Sequence, residues 1–324
     1  MLDLAPVAEG STPADALQNS LDLARHTEQY GYTRFWVAEH HNMISVASVA
    51  TSVIIGFLAQ GTTSIRIGSG GIMLPNHSPL IVAEQFGTLA ALFPGRIDLG
   101  LGRAPGTDPE TAQAIRTERM QAAMDFPNEV RKIQRYFSAE NSNAKVRSVL
   151  SEGADVPIWI LGSSTDSAYL AAEFGLPYAF ASHFAPQLLL PALDIYRNNF
   201  KPSVHLSKPY VMVGSQVVVA ETDDEAEFLS STIIRSMLGI VTGKRELMQP
   251  PTRHLGYGQW GIFKDRIDQM LAFSVISGRN SLKEKLAEML EITGADEIIA
   301  SSHIFDHQKR LESYRIFAEV MKTM

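Results

Sequence analysis

The chain has 324 residues, 45% of them apolar and 19% charged, with 28 Lys and Arg against 35 Asp and Glu for a net charge of −7. Such a composition supports a large core and excludes a disordered chain, and without a Lys/Arg-rich run it argues against nucleic acid or an anionic membrane as partner. The absence of cysteine excludes disulfides, thiolate metal sites and a cysteine nucleophile, and fits a reducing cytoplasm.

Short apolar runs alternate with longer amphipathic ones. Leu2–Leu4 reads as a brief first strand, shorter than the about five residues a central strand usually has. Ala14 to Tyr30 carries Leu17, Leu21 and Ala24 at helical spacing and is closed by Gly31. Arg34–Ala38 is a second strand, and Val46–Gln60 a mostly buried helix, interrupted by hydroxyl residues and too short to span a bilayer. The glycine-rich stretch Ile65–Leu74 is a third strand, Pro79–Phe93 a helix stopped by Pro94-Gly95, and Ile97–Leu101 a fourth strand. A polar segment leads to a helix over Arg119–Phe137. Then come a strand at Val156–Leu161, a helix at Thr165–Phe174, a strand at Tyr178–Ser182 and a helix at Gln187–Phe200. Tyr210–Ala220 is a seventh strand, followed by a helix over Glu221–Leu238 whose first turn is acidic. Residues 239–277, with Pro250-Pro251 and several glycines, read as a long lid-like insertion. Ser281–Ile292 is a helix, Glu297–Ser301 the eighth strand and His307–Met321 the last helix.

Eight strands, each followed by a helix, predict a single α/β domain over residues 1–324: a (β/α)8 TIM barrel, with a doubly wound open sheet as the alternative. Barrel chemistry sits at the C-terminal ends of the strands, and polar residues gather at those ends here. The second strand runs into Glu39-His40-His41. Neighbours on a strand face opposite ways, so one imidazole faces the mouth and a shared metal fits poorly. Either His pairs with Glu39 as structure, or the mouth-facing one is an acid, base or hydrogen-bond donor. Gly162-Ser163-Ser164-Thr165-Asp166-Ser167 opens a helix and reads either as an anion cradle or as ordinary N-capping; Arg103, after the fourth strand, could pair with the same anion. Gly68, Gly70 and Gly71 weaken the third strand and suggest a bulge, an unusual peptide or the close approach of a flat ligand, with tight barrel packing as the alternative.

The segments FWVAEHHN, IRIGSGGIMLPNHSPLIVAEQFGTLAALFPGRIDLGLGRAPGTD, VPIWILGSS and AEFGLPYAFASHF resemble the bacterial luciferase-like flavin-dependent monooxygenases, in their non-luminescent branch. The resemblance covers nearly the whole chain. It implies an FMN-binding barrel with His40 as the catalytic imidazole and a cis peptide at Gly70–Gly71 beside Ser69, behind the flavin ring. It also implies that Arg103, Gly162, Ser163, Ser164 and Ser167 hold the phosphate, with Arg116 and Arg119 as candidates for a second arginine. The reactive cysteine of luciferase is replaced by Gly102. The implied reaction uses O₂ and FMNH₂ on a small organic substrate, with the reduced flavin supplied by a separate flavin reductase because no NAD(P)H fingerprint is visible. A homodimer is also implied. The alternatives are an F420- or NAD(P)H-dependent oxidoreductase on the same barrel and a non-catalytic flavin-binding protein. Phe184, Trp260 and Phe263 are expected to line an apolar mouth.

Overall fold

The computed structural model describes residues 1–255 and 257–324, apart from the side chains of 257–260. Among the described residues nine strands form one parallel sheet: β1 (Leu2–Asp3), β2 (Arg34–Val37), β3 (Arg66–Met73), β4 (Ile97–Gly102), β5 (Ile158–Gly162), β6 (Tyr178–Phe180), β7 (Val211–Ala220), β8 (Val275–Gly278) and β9 (Glu297–Ser301). Each of β1 to β6 pairs with the next. The ten-residue β7 then forks. Met212–Gln216 pairs with β9 and Val217–Ala220 with β8. The sheet is curled, so Leu2, Trp36, Trp159, Ala179, Met212 and Ile299 from six different strands meet in one interior cluster.

The α-helices described around the sheet are α1 (Pro13–Tyr30), α2 (Thr51–Gln60), α3 (Pro79–Leu92), α4 (Pro109–Ile115), α5 (Arg119–Met124), α6 (Phe126–Phe137), α7 (Thr165–Phe174), α8 (Leu189–Asn199), α9 (Asp223–Thr242), α10 (Tyr257–Met270), α11 (Arg279–Thr293) and α12 (His307–Met321). Local chemistry accounts for their limits. Thr12 and Asp15 cap α1 reciprocally, and Gly31 ends it at φ 86°, a left-handed turn that glycine enters without a Cβ penalty. Thr222 caps α9, whose first turn carries Asp223, Asp224 and Glu225 against the helix dipole. The main core lies between the sheet and the helices and includes Phe35, Ile55, Phe86, Ile160 and Tyr314.

Four expectations change. Nine strands stand among the described residues where eight were expected, because Val275–Gly278 adds a strand ahead of Glu297–Ser301. Val46–Ala50 is not helical: Val46 bridges to Pro6, and α2 begins at Thr51. The single helix expected over Arg119–Phe137 is two, α5 and α6, with Pro127 near the start of α6, and α4 precedes them. The long loop at 239–277 is not seen as such. It holds the end of α9, all of α10 and most of β8, leaving 243–255 and 271–274 irregular among the described residues. Glycine masked the helix, yet Ile267 and Met270 are buried against α9, and burial overrides weak helix propensity. Gly256 and the Trp260 side chain lie outside the described residues. No described helix is long and apolar enough to cross a membrane.

The two ends of the curled sheet differ in chemistry. At the N-terminal strand ends Asp98, fully buried, accepts from Arg34 at 2.6 Å, Arg66 at 2.6 Å and Trp36 Nε1 at 3.0 Å, while Arg34 also meets Glu297 at 2.8 Å. Buried charges satisfied this fully form a structural plug. The opposite end opens into a cavity.

Candidate active site

The cavity occupies about 1660 Å³ at the C-terminal ends of the strands. Single-ligand pockets run from roughly 300 to 1,000 Å³, so there is room for two organic molecules side by side.

Glu39 organises one wall. It is 1% exposed and directly follows β2 by way of Ala38. Its carboxylate accepts from His41 Nε2 at 2.9 Å, His77 Nε2 at 2.9 Å, Asn76 Nδ2 at 3.0 Å and the Met73 backbone N–H at 3.0 Å. Burial alone would raise its pKa, but the bonds from His41, His77 and Met73 outweigh burial and hold it at about 2. Glu39 therefore remains a carboxylate and ties the end of β2 to the segment after β3. Asn76 in turn accepts from Arg119 Nε at 2.9 Å, and Arg119 Nη2 donates to the Arg103 carbonyl at 2.9 Å.

Of the two adjacent imidazoles, His41 belongs to this network and His40 does not. The His40 backbone N–H donates to Ser48, but its Nδ1 is buried without a partner, and the ring lines the cavity. Burial, with the Arg245 guanidinium nearby, lowers its pKa to about 4. At neutral pH it is an uncharged imidazole able to hold or pass a proton. Of the two strand-end roles, His41 takes the structural pairing, and His40 is left for a ligand.

The Gly70–Gly71 peptide is cis. Gly70 lines the cavity, and a Cβ there would lie 2.8 Å from Leu2 and 3.1 Å from Trp36; one at Gly71 would lie 2.8 Å from the Gly100 carbonyl oxygen. At Gly71 the obstacle is backbone and admits no Cβ, whereas at Gly70 the Leu2 side chain would have to shift. Ser69 faces elsewhere: its hydroxyl donates to the Gly100 carbonyl and accepts the Gly100 N–H, both at 2.9 Å, pinning β3 to β4.

Arg103, Gly162, Ser163, Ser164 and Ser167 meet at a second wall of the cavity. Ser164 precedes α7 without a side-chain cap, which leaves first-turn N–H groups for an anion. Arg103 reaches Asp166 at 3.1 Å, with both side chains largely exposed at 48% and 69%; such a pair is worth little and yields readily to a stronger anion. Ser167 is committed locally, donating to the Ser164 carbonyl at 2.7 Å beside Tyr178. Arg116 turns to the His77 carbonyl at 2.6 Å, and Arg119 lines the cavity. Phe184 lines the cavity too, whereas Phe263 packs into the cluster between α9 and α10. Lys244 to Gln249 lie along the mouth, where Met248 exchanges backbone bonds with Val7 and Glu9. Among the described residues no group of three or more His, Asp or Glu is placed to hold a metal ion.

Two cavity residues, His303 and Gln216, escaped the sequence reading, whereas His183 was legible as the polar end of the sixth strand. His183, in the turn after β6, is buried with an unpartnered Nδ1. His303, after β9, meets Gln216 of β7 at 3.2 Å. The available signal was Gln216 itself, one amide in the apolar run Val217–Ala220 and its approach.

A family model described as luciferase-like monooxygenase matches residues 1–297. A luciferase-like monooxygenase of Escherichia coli K12 is 46% identical over 324 residues, covering 100% of this chain and 97% of the relative. The N-acetyl-S-alkylcysteine monooxygenase of Bacillus subtilis is 36% identical, covering 70% of this chain and 69% of that protein. Among solved structures, apo-MsnO8 superposes with TM-score 0.89 at 35% identity, covering 100% of this chain and 98% of that one. The FMN complex of the oxygenating constituent of 3,6-diketocamphane monooxygenase shares the fold at TM-score 0.74 and 15% identity, over 98% and 96% of the two chains.

Proposed function

The chain belongs to the luciferase-like monooxygenase family, and from that premise we propose that it is an FMN-dependent monooxygenase acting with O₂ on a small organic substrate. One observation carries the reading: a single cavity, larger than one ligand needs, joins an uncapped helix N-terminus beside Arg103 to the unpartnered imidazole of His40.

The residues present suit a flavin mononucleotide. The N–H groups at the start of α7, with Ser163, Ser164 and Arg103, would take its phosphate once Asp166 is displaced. The bare backbone of Gly70, where a Cβ would crowd Leu2 and Trp36, would lie against its flat ring. When bound and reduced, the flavin supplies the electrons that let O₂ oxidise an organic molecule. His40, held uncharged by burial, would accept or return a proton at its open ring nitrogen Nε2. Leu4, Ala38, Phe184 and Met237 would exclude water from the reacting atoms. Residues 244–249 would cover the mouth as a lid.

Reduced FMN would come from a separate flavin reductase. The exposed apolar side chains Val53 and Phe57 of α2 and Ile81 of α3 offer a face for a homodimer. The test supplies reduced FMN, reduced F420 or NADPH in turn and follows O₂ uptake. Uptake with FMNH₂ supports the monooxygenase. Rapid hydride exchange with F420 or NADPH and no O₂ use would assign a dehydrogenase instead.

A further inference from the structure

Besides His40, the imidazoles of His183 and His303 lie outside the Glu39 network and face the same cavity, and both are anchored on β7. His183 is 9% exposed, and its Nδ1 is pressed onto Gly214, where an added Cβ would come within 2.5 Å. His303 Nδ1 lies 3.2 Å from Gln216 Oε1. Gly214 and Gln216 are two residues apart on β7. They therefore share one face of the sheet, roughly 7 Å apart along the strand. All four residues line the cavity.

The anchors dictate where each ring keeps its proton. The Gln216 carbonyl only accepts, so His303 carries its proton on Nδ1 and presents a lone pair at Nε2. His183 is the reverse case. A proton on its sealed Nδ1 would be a buried N–H without an acceptor, a rarer and costlier orphan than a lone pair. Its proton therefore sits on Nε2, the nitrogen left for a ligand. Burial keeps both rings uncharged, lowering His183 to about 3 and His303 to about 4.

We propose that His183 and His303 form the recognition site for the organic co-substrate and that they read a secondary amide, its carbonyl on His183 Nε2–H and its N–H on His303 Nε2. The proposal rests on reading the cavity as a site for a flavin and a co-substrate together. A trans amide is planar and directs its carbonyl and N–H in opposite directions, which suits two groups anchored roughly 7 Å apart. A hydroxyl presents both functions on one oxygen. A carboxylate, an ester and a tertiary amide bring no donor and leave His303 Nε2 unmatched. Sites built around a ligand N–H or O–H reject analogues that lack it far more strongly than apolar pockets reject a missing methylene.

The experiment compares N-benzylacetamide, N-benzyl-N-methylacetamide and benzyl acetate by saturation-transfer NMR, on the FMN-loaded and the flavin-free chain. The secondary amide is expected to bind at least about tenfold more tightly than the other two, the loss of one matched hydrogen bond in a buried site. In His303→Phe that gap is expected to close to under about twofold, with FMN affinity unchanged. Imidazole ¹⁵N shifts of the wild-type chain supply a readout free of folding effects, with His303 protonated on Nδ1 and His183 on Nε2. Equal binding of the three probes, or the opposite protonation of either ring, overturns the proposal. So does a tenfold loss of FMN affinity in His303→Phe, which would give these imidazoles to the flavin. A chain that binds no FMN refutes the functional reading instead, and the amide preference is then decided on the flavin-free chain.

Discussion

Replacing Glu39 with Gln tests what holds the mouth of the barrel together. The carboxylate is 1% exposed and accepts hydrogen bonds from His41, His77, Asn76 and the Met73 backbone. Its pKa falls from 4.5 to about 2 on folding, although burial pushes the other way. At 1.36 kcal/mol per unit, that shift corresponds to about 3 kcal/mol of folding stability supplied by the charged form. The sign follows from the depressed folded value. The contribution is complete above pH 4.5 and is lost as pH falls toward 2. A glutamine keeps the shape but has one acceptor oxygen, and its amide N–H groups confront the imidazole N–H groups. Urea unfolding at pH 7 should show the variant less stable by up to about 3 kcal/mol. A loss under about 1 kcal/mol would refute the reasoning, as would a gap that already closes between pH 8 and pH 6, since another titrating group would then be in control.

His40→Ala should leave FMN affinity within about twofold of wild type while turnover falls by about 10² or more, the usual scale of one acid–base group, as read from product formation under saturating FMNH₂. Arg103→Ala removes one charge-assisted contact and should weaken FMN binding by about tenfold to a hundredfold in a fluorescence titration, with riboflavin binding unaffected. His183, pushed down from 6.5 to about 3 by burial and by its His303 and His40 neighbours, makes folding acid-labile. Its stabilising contribution is complete above pH 6.5 and is lost as pH falls, at up to about 1.4 kcal/mol per pH unit. His183→Gln should make the wild-type decline between pH 6.5 and pH 5 shallower, leaving the part that the buried His40 and His303 share. Gly100→Ala drives a Cβ into the Ser69 carbonyl oxygen and should cost about 1–3 kcal/mol in thermal or urea unfolding.

What could be read from the chain was what the chain keeps local. The Glu39-His40-His41 run was legible as a polar strand end, although β2 stops at Val37 and both imidazoles reach the cavity, and the small residues of Gly162–Ser167 announce a helix start. Gly70–Gly71 was legible because glycines weaken a strand, and here a Cβ at Gly71 would meet the Gly100 carbonyl and one at Gly70 would crowd Leu2 and Trp36. Tertiary convergence was not legible. Asn76 and His77 complete the Glu39 network from more than thirty residues away, and His303 meets Gln216 at a separation of 87 residues. Ser69 looked like a cofactor contact, but its hydroxyl is spent on Gly100 across the ladder. The fork in β7 and helix α10 were hidden for a related reason. A short Val275–Gly278 run and a glycine-rich helix are weak signals until β7 and α9 bury them.

The most direct measurement titrates the purified chain with FMN and with anaerobically reduced FMN, then admits ¹⁸O₂ and follows flavin reoxidation, hydrogen peroxide release and label in added organic substrates. Saturable binding of reduced FMN, reoxidation slower than that of free FMNH₂, and one ¹⁸O atom carried into an organic product are the expected results. Failure of the chain to bind either form of FMN would contradict the central claim, as would stoichiometric peroxide release with no label in any product.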